Sequence, residues 1–213
     1  MNNLFFNIFF IFLISSIVWA DFFDDYQFLD SNLNWRDSLP ENMPLIKKPF
    51  WSENGLFRKH NIAPDNRLDE LKLRKNMMQW HQKLALINLG LIGYQYYLGR
   101  ELDSGNLSSD KYNQYKLTHK NLGYTTFTIY MSSAGLSIFS PPALKYDRGL
   151  SSMKLHRYLA TIHFVGMAIQ PWLGYQTSKG GENYSDYIDM HKQAGEIILG
   201  TYFLSFLLTL LPS

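Results

Sequence analysis

The sequence predicts an all-α protein: a transmembrane four-helix up-and-down bundle that follows an irregular N-terminal arm outside the membrane. From residue 77 onward the 213-residue chain is dominated by Leu, Ile, Phe, Tyr, Met, Gly and Ala. A helix of roughly 20 residues is about 30 Å long, which matches the hydrocarbon core of a bilayer. Four apolar stretches of suitable length lie at about 80–98, 119–139, 156–175 and 191–211.

The first 20 residues resemble a secretory signal peptide. A short polar start precedes an apolar run from Leu4 to Val18, and the small residue Ala20 stands before Asp21. This order is typical of a cleaved signal. Because the polar start has no Lys or Arg, an uncleaved membrane anchor is the alternative.

Residues 21–76 form the predicted arm. Four of the eight prolines lie between positions 40 and 64, and no period of 2 or 3.6 is sustained there. Such a pattern indicates an irregular segment. Asp65 is expected to cap a short helix at the end of the arm. That helix continues into the predicted four-helix transmembrane domain, residues 77–213.

Polar side chains recur inside the four apolar stretches. Asn88, Gln95 and Gln170 would be unfavourable against lipid. Polar residues in membrane helices usually face the interior of a bundle. The pattern therefore predicts an interior that is polar or filled by a cofactor. The Ser-Pro-Pro run at 140–142 should end the second helix, and Pro171 lies near the end of the third.

Charge and cysteine content exclude several classes of function. The net charge is +2 and the basic residues form no run, so nothing indicates nucleic-acid binding. The chain has no cysteine. Disulfides, iron–sulfur clusters and thioether-attached haem all require cysteine, so any haem must be held non-covalently by side-chain coordination.

Four histidines stand at the front of the four stretches. His81, His119, His156 and His191 follow one another at intervals of 38, 37 and 35 residues. Successive helices of an up-and-down bundle are antiparallel, so their N-terminal ends alternate between two faces. His81 and His156 should share one face, and His119 and His191 the other. Because a haem iron takes axial ligands from facing helices, the spacing predicts two haem sites with these histidines as iron ligands.

A small residue follows each histidine by four positions, and a basic residue follows it by one or two. The small residue, four positions on, lies on the same helical face, where a bulky side chain would meet the macrocycle. The basic residues lie where haem propionates would point. The small residues are Ala85, Gly123, Ala160 and Gly195, and the basic ones are Lys83, Lys120, Arg157 and Lys192. His163, on the face of His156, could replace it as a ligand, bond a propionate or tyrosine hydroxyl, or line a proton path.

Residues 77–212 resemble the four-helix haem core of the cytochrome b561 family. The closest local matches are Leu155-His156-Arg157 and the run HKNLGY that begins at His119. The resemblance implies a transmembrane electron carrier with two haem b groups. It also implies one histidine ligand from each of four consecutive helices, with the first helix paired with the third and the second with the fourth. These are the pairs expected from the antiparallel geometry.

The sequence thus predicts transmembrane electron transfer by a b-type cytochrome with two bis-histidine haems. We expect the protein to lie in membrane lipid, in a bacterial inner membrane, with the arm exported. A quinol or a small reductant would be a suitable electron donor. Two alternatives remain open: a membrane scaffold or assembly protein without haem, and a single-haem cytochrome b subunit of a quinone oxidoreductase.

Overall fold

A computed structural model describes residues 39–146 and 149–211. Within these ranges the chain is helical and has no strand, so the all-α prediction is confirmed. The predicted signal segment lies outside the described residues. The six helices are α1 (Lys48–Trp51), α2 (Leu56–Lys59), α3 (Arg67–Asp103), α4 (Ser109–Phe139), α5 (Ser152–Lys179) and α6 (Tyr184–Thr209).

The prediction of transmembrane helices is contradicted. Among the described residues, no helix combines the length and the apolar character that a bilayer crossing requires. The four long helices were predicted from their apolar pattern, and that pattern is interrupted by amides, hydroxyls and charged residues. These polar groups lower the mean hydropathy of each helix even where its length suffices.

The chain divides into two compact units. Of the described residues, one unit takes those that fall within Met1–Lys83 and Ser133–Gly149, and the other takes those within Leu84–Ser132 and Leu150–Ser213. We call them unit 1 and unit 2. Helices α3 and α4 contribute to both, whereas α5 and α6 belong to unit 2.

In unit 1, helix α3 begins one residue later than the sequence suggests. Asn66, and not Asp65, caps it: the Asn66 side-chain oxygen accepts a hydrogen bond from the Asp69 amide at 2.9 Å, and the Asn66 carbonyl accepts one from the Glu70 amide at 3.2 Å. Asn66 also donates to the Asp69 carboxylate at 2.8 Å. Asparagine is among the preferred residues for this position because its oxygen satisfies a free amide of the first turn.

The arm of unit 1 covers the end of helix α4. Lys47 Nζ donates to the carbonyl oxygens of Ser137 at 2.6 Å and of Ser140 at 2.5 Å. Trp51 Nε1 donates to the carbonyl of Phe139 at 3.0 Å. The last carbonyls of a helix have no partner within the helix and carry its partial negative charge. The arm is therefore hydrogen-bonded to the helix end by its own donors. The helix ends at Phe139, so the predicted stop at 140–142 is confirmed.

Two arginines of helix α3 extend this contact. Arg67 donates to the Pro142 carbonyl at 2.8 Å, and Arg74 donates to the Pro141 carbonyl at 2.8 Å. Arg67 also pairs with the buried Glu70 at 2.7 Å. Proline has no N–H and cannot continue the backbone hydrogen bonds of the helix. The two arginines therefore donate to carbonyls that have no backbone partner at the helix end.

In unit 2, helix α5 continues through Pro171 and ends at Lys179. The α5–α6 hairpin is antiparallel, because His156 near the start of α5 contacts Ser205 near the end of α6. The α3 and α4 segments of unit 2 are also antiparallel, since Gln95 contacts His119.

The two hairpins repeat one sequence pattern. His81 and His156 are 75 positions apart, and this offset also relates Gln95-Tyr-Tyr-Leu-Gly to Gln170-Pro-Trp-Leu-Gly. In α4 and α6 the offset is 72, which relates His119 to His191. The same offset aligns other identical pairs along these helices: Tyr112 with Tyr184, Lys120 with Lys192, Gly123 with Gly195, Tyr130 with Tyr202, and Ser133 with Ser205.

Candidate functional site

Unit 2 brings His119 and His191 together. Their ring centres are 6.1 Å apart and their planes are inclined at 75°. Each ring comes from the first third of its helix, α4 or α6, and is partly buried. The sequence predicted this pair from helix order, and the structure places the two rings face to edge.

Burial makes both rings weak bases. It lowers the pKa of His119 below its usual value. Burial, together with the neighbouring His119, lowers the pKa of His191 to about 4. Both imidazoles are therefore neutral at pH 7. The neutral form is the one that can coordinate a metal through a ring nitrogen.

The main-chain carbonyl of each histidine accepts a hydrogen bond from a glutamine of the preceding helix. Gln95 Nε2 donates to the His119 carbonyl at 2.9 Å, and Gln170 Nε2 donates to the His191 carbonyl at 3.0 Å. The main chain of each glutamine partly offsets the lowering of the histidine's pKa. The rings themselves are not bonded through Nδ1, because this buried atom has no partner in either ring among the described residues.

Glycines give the two rings and the two amides their space. A Cβ atom on Gly99 would lie 3.6 Å from Cε1 of His119, and one on Gly174 would lie 3.3 Å from Cε1 of His191. A Cβ on Gly123 or Gly195 would lie 3.4 Å from the amide nitrogen of the corresponding glutamine. The predicted small residues at 123 and 195 thus have a glutamine amide as their neighbour.

The other two histidines are bound in a related way, each within its own unit. In unit 1, His81 Nδ1 lies 2.9 Å from the Ser133 carbonyl, and Ser133 Oγ donates to the His81 carbonyl at 3.0 Å. In unit 2, His156 Nδ1 lies 3.0 Å from the Ser205 carbonyl, and Ser205 Oγ donates back at 3.4 Å. A carbonyl can only accept, so Nδ1 carries the proton in both rings. The pairing of His81 with His156 stays a prediction.

His163 is part of a buried polar cluster in unit 2. Its Nδ1 lies 2.6 Å from the hydroxyl of Tyr130. Tyr202, the counterpart of Tyr130, donates to the carbonyl of Ala85 at 2.9 Å. Among the roles considered for His163, the structure shows the contact with a tyrosine hydroxyl.

The basic residues after the histidines have different surroundings. Lys192 forms an ion pair with Asp103 at 2.5 Å. Lys83 lies over the ring of Trp80, with Nζ 5.0 Å from the ring centre. Lys120 is exposed and has no ion-pair partner in the described part of the chain. Arg157 is partly buried near the start of α5, as is the small residue Ala160.

The prediction of a metal-binding group of residues is contradicted. Over residues 39–146 and 149–211, no three or more His, Cys, Asp or Glu side chains are grouped so that they could hold a metal ion. The physical reason is that His119 and His191 meet as a pair, without a third donor. Two imidazoles can fill only the axial positions of an iron whose other ligands come from a porphyrin.

No family model matches this chain, and no curated protein or solved structure matches it either. The resemblance to the cytochrome b561 family therefore rests on the residues quoted above.

Several residues of the site were absent from the sequence-based prediction. Gln95 and Gln170 were assigned only to a polar interior, and the roles of Gly99, Ser133 and Ser205 were not foreseen. The signal that could have revealed them is the pair of repeat offsets, 75 and 72, which aligns the two Gln-x-x-Leu-Gly runs and the two serines.

Proposed function

We propose that this chain is a b-type cytochrome that holds haem b between His119 and His191 and transfers electrons. The observation that carries the proposal is the distance between the two rings. An imidazole nitrogen lies about 2.0–2.1 Å from the metal it coordinates, so two rings on opposite sides of one metal have centres roughly 6 Å apart. The rings of His119 and His191 are 6.1 Å apart, a spacing that fits this arrangement and also lies within the range of an edge-to-face pair of rings.

The protonation of the rings supports the same function. A metal-bound histidine usually donates its other ring N–H to a carboxylate or a main-chain carbonyl. His156 does so toward Ser205, and His81 does so toward Ser133. In these two rings Nε2 is the nitrogen that remains for coordination. Nδ1 of His119 and of His191 has no hydrogen-bond partner among the described residues.

When bound, haem b supplies a one-electron couple, and two axial histidines leave no position for oxygen or substrate. The residues of this chain would hold the iron, fix the ring tautomers and keep water from the rings. Lys120 is the residue best suited to a propionate because Lys192 is already paired with Asp103. A second haem at His81 and His156, the electron donor and acceptor, and the location in a bacterial inner membrane stay predictions.

The test is a pyridine haemochrome assay with protein quantitation on chain expressed with sufficient haem. At least one haem b per chain is expected, and two if the second pair also binds. Acid acetone should extract all of it because no cysteine is present. Either His119→Ala or His191→Ala should remove the same haem, whereas His60→Ala, an exposed histidine of the arm, should not.

A folded protein without a Soret band would overturn the proposal and favour the scaffold alternative. One haem per chain is also an informative result. If that haem survives His81→Ala and His156→Ala but is lost in His191→Ala, the single-haem alternative is correct.

A further inference from the structure

One contact recurs at all four histidines. In each case a residue on the neighbouring helix donates a side-chain hydrogen bond to the main-chain carbonyl of the histidine. The four donors, which we call the latch residues, and their distances are Ser133 to His81 at 3.0 Å, Gln95 to His119 at 2.9 Å, Ser205 to His156 at 3.4 Å and Gln170 to His191 at 3.0 Å.

The two serines also bond to the ring of their histidine. The carbonyls of Ser133 and Ser205 lie 2.9 Å and 3.0 Å from the Nδ1 atoms of His81 and His156. Each serine therefore fixes both the backbone and the ring of its histidine, whereas Gln95 and Gln170 hold the backbone of theirs.

This contact explains the small residue four positions after each histidine. The carbonyl of a helical residue points toward residue i+4, whose side chain is tilted back toward the N-terminus and lies beside that carbonyl. A large side chain at i+4 would cover the oxygen. At Gly123 and Gly195, a Cβ would lie only 3.4 Å from the glutamine amide. Ala85 and Ala160 occupy the same position after the histidines that bond to serine.

We propose that the four latch residues are positioning residues, which orient the ligand histidines by holding their main-chain carbonyls, and that the small residues at i+4 exist to admit them. The inference rests on the proposed function. It differs from the sequence-based expectation, in which the small residues make room for the macrocycle. The ring planes of His119 and His191 are inclined at 75°, and this is the geometry that Gln95 and Gln170 would set through the backbone.

The first test uses Gln170→Met, which keeps the length of the side chain and removes the donor. The matched control is Gln176→Met, on the same helix, because the Gln176 side chain makes no hydrogen bond within the described residues. The readout is the low-spin electron paramagnetic resonance signal of the oxidised haem, which depends on the angle between the axial ring planes. Gln170→Met should shift this signal and weaken haem binding about 10–100-fold, the usual effect of removing an outer-shell partner. Gln176→Met should do neither.

The second test is a double-mutant cycle between Gly195→Leu and Gln170→Met. If leucine acts by displacing the amide, its effect on haem affinity should largely disappear once the amide is gone, so the two changes are non-additive. If glycine is needed for the macrocycle, the two losses should add.

The outcomes separate the two proposals. Wild-type protein without haem overturns the proposed function. Wild-type protein with haem, but with an unchanged resonance signal in Gln170→Met or with additive losses in the cycle, overturns the positioning role alone. Gln170→Glu guards against a folding defect of the methionine variant, since its carboxylate also cannot donate to the His191 carbonyl.

Discussion

Alanine at two equivalent glycines should have opposite consequences. Gly99 and Gly174 occupy the same place in the two Gln-x-x-Leu-Gly runs, and each faces the histidine ring of the adjacent helix. The distances differ: an added Cβ would meet His119 Cε1 at 3.6 Å but His191 Cε1 at 3.3 Å. The first is ordinary van der Waals contact, whereas the second forces the ring to move by a few tenths of an ångström.

The expected magnitudes follow from these distances. Replacing a glycine inside a helix by alanine stabilises the folded state by about 0.5–1 kcal/mol, through the lower entropy of the unfolded chain. Gly99→Ala should show this gain in full. At Gly174 the gain is opposed by the cost of overpacking, which is about 1–3 kcal/mol in a filled core. Gly174→Ala should therefore be no more stable than wild type.

The assay is urea unfolding of the haem-free protein, followed by haem titration of each variant. Gly99→Ala should raise the free energy of unfolding and bind haem as wild type does. Gly174→Ala should bind haem more weakly, because His191 is displaced. Equal stabilisation and equal haem affinity in the two variants would refute the reasoning from ring contacts.

Three further predictions concern buried polar groups. Tyr130→Phe should lower the free energy of unfolding by about 1–3 kcal/mol in urea, because it removes the buried hydroxyl that lies 2.6 Å from His163; no loss would contradict the contact. Burial lowers the pKa of Lys47 to about 7. Because the unfolded chain then holds this proton more tightly, the stability of the fold should rise with pH from about 7 toward the usual pKa of lysine. Lys47→Met should flatten that rise, as measured by thermal unfolding. The pKa of His191, lowered to about 4, means that haem-free protein should lose stability as pH falls from about 6.5 to 4. His191→Gln should reduce that slope, to which the lowered pKa values of His119 and His156 also contribute.

Features encoded by consecutive residues were accessible from the sequence. The stop of α4 follows from the Ser-Pro-Pro run at 140–142, because proline lacks the N–H that would continue the helix. The proximity of His119 and His191 follows from helix order and from their position near the helix starts. The cap of α3 was misplaced by one residue because Asp65 and Asn66 are both good capping residues, and local propensity does not choose between them.

Features that depend on contacts between helices were not accessible in the same way. A glutamine in an apolar stretch indicates a polar interior, but the pattern does not identify the carbonyl to which it donates. The bilayer prediction failed for a related reason: the stretches were recognised by length and spacing, whereas a spanning helix is decided by mean hydropathy. The small residues at 123 and 195 are visible in the sequence, but their neighbour is an amide that only the packed helices reveal.

The contact between the arm and the end of α4 has a consequence for the order of folding. Lys47 and Ser140, which it bonds at 2.5 Å, are separated by 93 residues along the chain. Contacts of such long sequence separation form late, because the intervening chain must first be ordered. During synthesis the arm leaves the ribosome long before its acceptors exist. The hydrogen bonds that Lys47, Trp51 and Arg67 donate to this helix end therefore cannot form until α4 is complete.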